Sequence, residues 1–338
     1  MPNYNHGRFI GQALGALLMQ TRSADEIIII DDASTDDSVS TIERLVHGRA
    51  NVSVIRQKSR GGVLKALNDG LERASGDLIG FPAADDMVGP DFLRKTERLL
   101  QRFPGASFCS ACVELVDSEG ARLGTRPILR PVLSPEYVPA KSARSMLTRG
   151  DNFFLGQVCL YRRGRLLDLG GFDASLGASS DGMMQRRMAV RWGFCFIPEV
   201  LGTWRLHGAN FSTSAVESAE KVDQLIELNQ RVVAAEPPGL FPEGYAQLFE
   251  RRLRFNAARV ALLHCDNKTP SDEQLWAICS IVHATWIDRM MLRTFQRLKL
   301  ASALLMMGWL AMRLRPFSFT WLGMEAVRRL VSQGVRLS

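Results

Sequence analysis

Residues 27–37 read IIIIDDASTDD, and this stretch decides the fold of the first part of the chain. Ile27 to Ile30 are four β-branched residues in succession, which is typical of a strand buried on both faces. Asp31 and Asp32 follow directly, before a segment with helix-capping residues. The stretch therefore predicts a buried strand whose end carries paired carboxylates.

Strand and helix patterns alternate on either side of this strand. We predict helices over 7–21, 36–46 and 62–74, and strands over 27–30, 52–55 and 77–81. Such alternation is typical of a parallel sheet with helices on both faces, whose ligands bind at the carboxyl ends of the strands. Further strands are predicted at 108–116, 158–161 and 194–198, and amphipathic helices follow from 216 onward. The sequence predicts an α/β domain over 1–214 and a basic, amphipathic helical extension over 215–338.

A second carboxylate pair falls at the same predicted edge. Asp85 and Asp86 stand four residues beyond the strand over 77–81. Two carboxylate pairs at one edge repel each other unless positive charge lies between them. Helix capping by Asp32 and Asp36 and a polar turn at Asp85 are the structural alternative. Because Mg²⁺ and Mn²⁺ prefer carboxylate and phosphate oxygens, the pattern indicates a cation site for a nucleotide diphosphate.

Two further residues are candidates for chemistry. Asp181 follows a glycine-rich loop and precedes a predicted helix, whose N-terminus favours a negative charge. It could act as the general base that an alcohol needs at neutral pH, or serve only as a helix cap. His207 is one of five histidines, and a structural or surface role is its alternative. The sequence contains no GxSxG, HExxH or GK[ST] pattern.

As an ordered set, these stretches resemble the family 2 glycosyltransferases, which have the GT-A fold. The matching stretches are 2–6 (PNYNH), 27–37, 61–77, 81–86 (FPAADD), 170–173 (GGFD) and 205–208 (RLHG). They cover residues 1–214 in the family's order. The final third of the chain lies outside the resemblance.

The resemblance implies a role for each matching residue. It implies that Pro2 and Tyr4 contact the nucleobase, and that Asp32, supported by Asp31, forms a hydrogen bond with it. Lys65 would be a basic residue near the nucleotide, and Asp85 and Asp86 would form the DxD-like pair. Asp181 would be the catalytic base, and His207 would lie near the diphosphate and the metal. Metal ligation is implied for Asp86, Asp85 and His207.

The same resemblance implies substrates and cofactors. We expect a nucleotide-sugar donor, a UDP-sugar, together with Mn²⁺ or Mg²⁺. The implied reaction is an inverting transfer of the sugar to a hydroxyl of a glycan or lipid-linked acceptor. The implied process is the synthesis of cell-surface polysaccharide or glycoconjugate.

Two features depart from the family pattern. Ser180 stands where a glutamate usually precedes the catalytic aspartate. The apolar strand that normally precedes the PxYN segment is missing, because Met1 stands directly before Pro2. We expect Met1 to be an internal methionine of a longer product or a misassigned start. Since each unpaired buried backbone group costs about 1–3 kcal/mol, we expect a chain that begins here to be less stable and weakly active.

Two other functions fit parts of the sequence. A catalytically weak nucleotide-sugar-binding or scaffold protein on the same fold is suggested by Ser180 and the missing strand. A sugar nucleotidyltransferase has a similar α/β domain but needs a basic, glycine-rich loop for a nucleoside triphosphate. Residues 2–11 contain a single lysine or arginine, Arg8, which is a poor match to such a loop.

Charge is concentrated at the end of the chain. The formal net charge is +7, and residues 286–338 contain nine Lys/Arg against two Asp/Glu. Because the rest is nearly neutral, a nucleic-acid-binding protein is excluded. A basic amphipathic tail fits equally a membrane interface and a helical cap. The longest apolar run, 300–312, is shorter than the about 20 residues of a spanning helix. We expect a cytoplasmic protein, either free or peripheral on the inner face of the cell membrane.

Overall fold

The structure is a computed structural model. It describes residues 1–126, 130–150, 153–154, 156–207, 218–263, 265, 269–298 and 302–316. The chain divides into two units, the first formed by 1–144 and 151–208 and the second by 145–150 and 209–338. The predicted boundary between residues 214 and 215 lies outside the described residues.

The elements of the first unit follow the predicted alternation over residues 1–100. In chain order they are β1 (Pro2–Asn3), α1 (Gly7–Leu18), β2 (Ile27–Asp31), α2 (Ser38–Val46), β3 (Val52–Arg56), α3 (Val63–Arg73), β4 (Leu78–Gly80), β5 (Met87–Val88), α4 (Phe92–Arg102), β6 (Phe108–Val116), β7 (Arg122–Thr125), β8 (Glu136–Val138), α5 (Ala140–Leu147, which ends within the second unit), β9 (Cys159–Arg162), α6 (Arg163–Asp168), α7 (Ser180–Trp192) and β10 (Phe194–Arg205). Short 3₁₀ turns cover Gly156–Val158 and Ala174–Ser179.

The strand of four isoleucines is the centre of a three-stranded parallel sheet. β2 lies between β1 and β3, and Ile27 to Ile30 pair in register with Val52 to Ile55. Ile29 and Ile30 are buried. The prediction of a strand buried on both faces is therefore confirmed. Because the strand is hydrogen-bonded on both sides, Asp31 and Asp32 are held at the edge where it ends.

The larger sheet is mixed, and β4, the third strand of the predicted parallel alternation, pairs antiparallel with β9 in this sheet. Its strand order is β4-β9-β6-β10-β5, with β7 paired to β6 and β8 to β10. β6 runs parallel to β10 but antiparallel to β9. Parallel neighbours require a long crossover, whereas antiparallel neighbours can follow short connections. The region after β6 contains short strands and glycine turns, which permit antiparallel returns.

A two-residue strand lies within the PxYN segment itself. Pro2 and Asn3 form β1 and pair with Ile30 and Asp31 of β2. The side chain of Asn3 anchors this short strand, because its Nδ2 donates to Asp31 at 2.8 Å. The amino group of Met1 donates to the carbonyl of Ile28 at 2.8 Å, and burial lowers its pKa to about 5.

A cluster of aromatic rings positions the central strands of the mixed sheet. Phe108 at the start of β6 packs against Phe154 and Phe194, and Phe153 packs against the same two, with ring centroids 4.4 to 5.8 Å apart. All four side chains are buried. The core thus fixes β6 and β10 at one end, while their other ends carry residues of the candidate site.

The second unit is helical, as predicted. Its helices beyond α5 are α8 (Ala219–Ala234), α9 (Tyr245–Leu263), α10 (Asp272–Ile281), α11 (Trp286–Leu298) and α12 (Ser302–Leu314). Apolar residues from all five helices form one buried cluster, which includes Val222, Leu262, Ile278, Leu292 and Met306. Among the described residues, no helix is both long and apolar enough to span a bilayer.

Candidate functional site

The loop after β2 buries the first carboxylate pair and uses Asp32 to hold a second loop. Asp32 accepts hydrogen bonds from the backbone N–H groups of Gly61 at 2.6 Å and Gly62 at 2.8 Å, one on each oxygen. Gly62 has a φ of 90°, a conformation that favours glycine. Asp32 therefore fixes the loop that leads into α3. Each oxygen retains a lone pair that a ligand could use.

Asp31 holds the loop that contains its neighbour. Its carboxylate accepts from Asn3 Nδ2 at 2.8 Å, from the Ser34 hydroxyl at 2.6 Å and from the Ser34 N–H at 3.1 Å. The side chain is almost fully buried. Three donors at such a short range keep Asp31 in place, which makes it a support for Asp32 rather than a group facing a ligand.

The segment implied to contact the nucleobase lies beside this loop. The guanidinium carbon of Arg60 stands 4.0 Å from the centroid of the Tyr4 ring, a cation–π contact. Pro2 is half-buried in β1.

An open cleft of about 340 Å³ adjoins Gly61 and is lined by residues 55–59 and by Lys65, Asp69 and Arg73 of α3. Lys65 Nζ forms an ion pair with Asp69 at 2.6 Å, so this lysine is already partnered.

The second carboxylate pair lies between β4 and β5 and is held by the end of β10. Asp85 Oδ2 is 2.9 Å from His207 Nε2, and Asp86 Oδ1 accepts from the backbone N–H of Arg205 at 2.7 Å. Asp86 is buried, and its burial together with the negative charge of Asp85 raises the pKa of Asp86. The structure thus brings together three of the residues that the sequence selects: Asp85, Asp86 and His207.

His6 is a further residue of this cluster to which the sequence assigns no role. Its Nε2 lies 4.0 Å from Asp85 Oδ2, so two histidines flank one carboxylate. Its Nδ1 is buried and has no hydrogen-bond partner among the described residues. Burial lowers the pKa of His6, although Asp85 opposes this effect. An imidazole at the start of α1 therefore faces the carboxylate pair.

Arg205 is the second residue that sequence reasoning overlooks. Its buried guanidinium donates to the carbonyl oxygens of Asp85, Asp117 and Ser118 and to the side chain of Gln12, at 2.7 to 3.3 Å. One side chain thus joins α1, the Asp85 loop and the turn after β6. Its place two residues before His207 is the only sequence signal for this role.

The donor atoms around Asp85 fit a hard divalent cation. They comprise two adjacent carboxylates and an imidazole, and burial together with the negative charge of Asp85 raises the pKa of Asp86. Within the described ranges, no group of three or more His, Cys, Asp or Glu is arranged to hold a metal ion alone. Mg²⁺ usually binds one or two carboxylates together with phosphate oxygens and water. The residues therefore fit a cation that binds with a diphosphate.

Asp181 is the remaining carboxylate that the sequence selects. It lies in the first turn of α7, as predicted, and its Oδ1 accepts from the Gly182 N–H at 2.6 Å. Burial raises the pKa of Asp181, while that N–H and the charges of Arg186 and Arg126 lower it. None of the contacts described for Asp181 involves Asp85 or the residues around it. Asp181 is therefore a carboxylate with raised proton affinity at a helix N-terminus, as a general base requires.

Gly156 leaves the space that the Asp181 carboxylate occupies. A Cβ at position 156 would overlap Asp181 Oδ2, whereas a Cβ at Gly164 would meet no atom within 4 Å. We therefore expect Gly156→Ala to displace the carboxylate and to lower kcat roughly tenfold to a hundredfold, with little change in melting temperature. Steady-state kinetics and thermal melts check this, with Gly164→Ala as the matched control. Full activity of Gly156→Ala would contradict a role for the Asp181 position.

Comparisons with known proteins identify the family. Residues 1–169 match the family described as glycosyl transferase family 2. An uncharacterized glycosyltransferase of Nostoc is 27% identical over 225 residues, which cover 65% of this chain and 67% of that protein. The fold is similar to that of Staphylococcus aureus TarS in complex with UDP-GlcNAc, with a TM-score of 0.59, 16% identity and coverage of 90% and 88% of the two chains.

A second solved structure has the same fold. The mannosyltransferase PcManGT from Pyrobaculum calidifontis, in complex with GDP-Man and Mn²⁺, gives a TM-score of 0.56 at 21% identity, with 99% of this chain and 85% of that chain covered. Both neighbours are GT-A glycosyltransferases, so the predicted GT-A fold is confirmed. With half of its length matched by the family model, the chain belongs to glycosyl transferase family 2 and is a glycosyltransferase.

Proposed function

We propose that the enzyme transfers a sugar from a nucleotide diphosphate donor to an acceptor hydroxyl, with inversion at the anomeric carbon. The observation that carries this proposal is the His207 Nε2 atom 2.9 Å from Asp85 Oδ2, which sets an imidazole beside the carboxylate pair Asp85 and Asp86. Asp85 and Asp86, flanked by His207, fit a cation and a diphosphate, while Asp181 stands at the start of α7 with a raised pKa. The Asp85–Asp86 pair suits the departing diphosphate, and Asp181 suits the acceptor hydroxyl that acts as the nucleophile.

The donor half of the proposal uses the loops at the end of β2. Tyr4, stacked under Arg60, and the loop that Asp32 holds would contact the base and ribose. The two solved neighbours were observed with UDP-GlcNAc and with GDP-Man and Mn²⁺. By analogy we propose a nucleotide-sugar donor, with a UDP-sugar as the expected one, and Mn²⁺ or Mg²⁺ as the cation.

Asp86, Asp85 and His207 would hold the cation on this proposal. When bound, the cation supplies Lewis-acid stabilisation of the negative charge on the departing diphosphate. The Asp181 carboxylate accepts the proton of the acceptor hydroxyl as its oxygen bonds to the anomeric carbon. The bond from that carbon to the phosphate oxygen breaks, and its electron pair leaves with the nucleoside diphosphate. A single displacement of this kind inverts the anomeric configuration.

We extend the proposal to the acceptor, which would be a glycan or a lipid-linked saccharide used in cell-surface polysaccharide or glycoconjugate synthesis. The guanidinium carbon of Arg126 lies 4.2 Å from the centroid of the Trp204 ring, and the charge of Arg126 acts on Asp181. The Trp204 ring supports this choice, because sugar rings have apolar faces that pack on aromatic side chains.

Calorimetric titration of UDP and of GDP, each with and without Mn²⁺, tests the donor site. The variant is Asp86→Asn, which keeps an oxygen for the Arg205 N–H, and the control is Asp25→Asn on the exposed surface. Outer-shell substitutions already weaken metal sites about 10- to 100-fold, so we expect metal-dependent binding to fall by about 100-fold or more. The control should bind like wild type.

The preferred nucleotide in this titration identifies the donor class. Binding that does not depend on Mn²⁺, or that persists in Asp86→Asn, would contradict the proposed cation site. Metal-dependent nucleotide binding without sugar transfer would instead favour a catalytically weak binding protein, for which Ser180 is the specific observation. Its buried hydroxyl has no hydrogen-bond partner among the described residues and supplies no carboxylate next to Asp181.

A further inference from the structure

Helix α11 has an exposed face that is both apolar and cationic. Trp286 is 73% exposed and Met290 is 51% exposed, one helical turn apart. Arg289, Arg293 and Arg297 follow the same helical spacing and are also exposed. None of the three arginines forms an ion pair with a described residue. Such a face leaves large apolar side chains and three positive charges in water.

Helix α12 also has large apolar side chains that are exposed. Leu304 is 67% exposed, Leu305 41% and Met312 54%, and Gly308 lies one turn from both Leu304 and Met312. Isolated exposed apolar residues are common on protein surfaces, but a stripe along a helix marks an interaction surface. We call the exposed sides of α11 and α12 the hairpin face.

The single acidic residue of these two helices is turned away from the hairpin face. Asp288 is buried, and it accepts from Trp309 Nε1 at 2.9 Å and pairs with Arg313 Nε at 2.7 Å. The N–H and hydroxyl of Thr285 also donate to it, at 2.8 and 2.7 Å. These contacts join α11 to α12 and neutralise the carboxylate. The hairpin face therefore presents positive charge with no acidic residue of its own helices to balance it.

We propose that the hairpin face binds the surface of an anionic phospholipid bilayer. A helix with basic residues beside Trp, Leu and Met lies in the membrane interface, where the apolar side chains enter and the arginines meet lipid phosphates. This binding goes beyond the proposed transfer reaction and does not depend on it. The enzyme would then be a peripheral membrane protein, which is one of the two locations expected from the sequence.

The positive charge of the hairpin face argues against two other occupants, the segment 317–338 and a second copy of the chain. Residues 317–338 contain three arginines against one glutamate, so this segment has the same sign as the hairpin face. A second copy paired through a two-fold axis would place the three arginines of one α11 against those of the other. Both arrangements bring like charges together, whereas anionic lipid supplies the opposite charge.

Flotation of the full chain with lipid vesicles tests the proposal. The vesicles are phosphatidylcholine alone, and phosphatidylcholine with phosphatidylglycerol in equal parts, each at low and high salt. The variant is Arg289→Gln/Arg293→Gln/Arg297→Gln. The matched control, Arg44→Gln/Arg49→Gln/Arg98→Gln, removes the same charge from exposed positions of the first unit. Thermal melts verify that both variants fold.

We expect wild type and the control to float with the anionic vesicles at low salt and to lose binding at high salt. Each arginine near an anionic surface contributes about a fivefold factor, so the triple variant should bind roughly 100-fold more weakly. Trp286→Ser/Met290→Ser should also bind more weakly, because the inserted apolar area is lost. The proposal is overturned if wild type does not float with anionic vesicles, or if the arginine variant floats as well as the control. A wild-type dimer that the arginine substitutions dissociate would assign the face to a second copy instead.

Discussion

Asp181→Asn should lower kcat by about two to four orders of magnitude while the affinity for the donor nucleotide stays near that of wild type. An amide of the same shape keeps an oxygen for the Gly182 N–H, which donates to Asp181 at 2.6 Å, so α7 should form unchanged. It cannot accept the proton of the acceptor hydroxyl. The loss should therefore fall on the chemical step, and single-turnover kinetics with saturating donor would measure it.

Ser180→Ala is the matched control for this variant. Ser180 adjoins the base and is buried, but its hydroxyl has no hydrogen-bond partner among the described residues. Removing it should leave kcat and stability close to those of wild type, because no hydrogen bond is lost. Equal losses in Asp181→Asn and Ser180→Ala would show that the start of α7 is only structural.

The pH profile gives a second measure of the same residue. Burial raises the pKa of Asp181 above the ordinary value of 3.8, and a base must be deprotonated to act. Activity should therefore fall as the pH drops through this raised pKa, so the acidic limb of kcat/KM should lie above the range of an exposed aspartate. An acidic limb at the ordinary aspartate value would contradict the assignment.

Arg205→Met should destabilise the first unit by about 3 kcal/mol or more, since each buried acceptor left without a donor costs about 1–3 kcal/mol. The arginine donates to three backbone carbonyls, those of Asp85, Asp117 and Ser118, and to the side chain of Gln12. Methionine fills a similar volume but donates nothing, so these acceptors would be left buried and unpaired. The midpoint of denaturant unfolding, followed by tryptophan fluorescence, would measure the loss.

A surface arginine provides the comparison for this variant. Arg122 pairs with Glu114 and is 70% exposed at the side chain. Exposed ion pairs contribute about 0–1 kcal/mol, so Arg122→Met should hardly move the midpoint. If the two substitutions shift unfolding equally, the bonds of Arg205 do not hold the site together.

Local patterns predicted the elements whose signal lies within their own residues. The four isoleucines of β2 and the apolar run Phe108–Val116 were recognisable because a strand buried on both faces needs apolar side chains on both. The helix after Asp181 was recognisable from its spacing. β10 was expected to end at Pro198 but runs to Arg205, with shifts in register after Ile197 and Val200. Proline cannot donate to a neighbouring strand, yet a bulge tolerates it.

Contacts between distant residues were beyond the reach of such patterns. Asp85, Asp86 and His207 were selected by their order along the chain, but nothing local indicates that His6 meets the same carboxylate. Arg205 is 193 positions away from its partner Gln12. A lone arginine in a strand reads as a solvent-facing residue, since burial and partner are properties of the folded chain. The mixed order of the second sheet was missed for the same reason.

The way in which Asp85 and Asp86 are held has a consequence for how the protein is made. The end of β10, which supplies the Arg205 N–H and His207, is translated more than a hundred residues after these aspartates. A nascent chain that has emerged only as far as β6 already contains every residue of the three-stranded sheet, together with the loop that Asp32 holds. It contains His6 but neither the Arg205 N–H nor His207, which hold the carboxylate pair in the full chain. On the proposed function, the nucleoside half of the site is therefore translated in full before the residues that hold its diphosphate half.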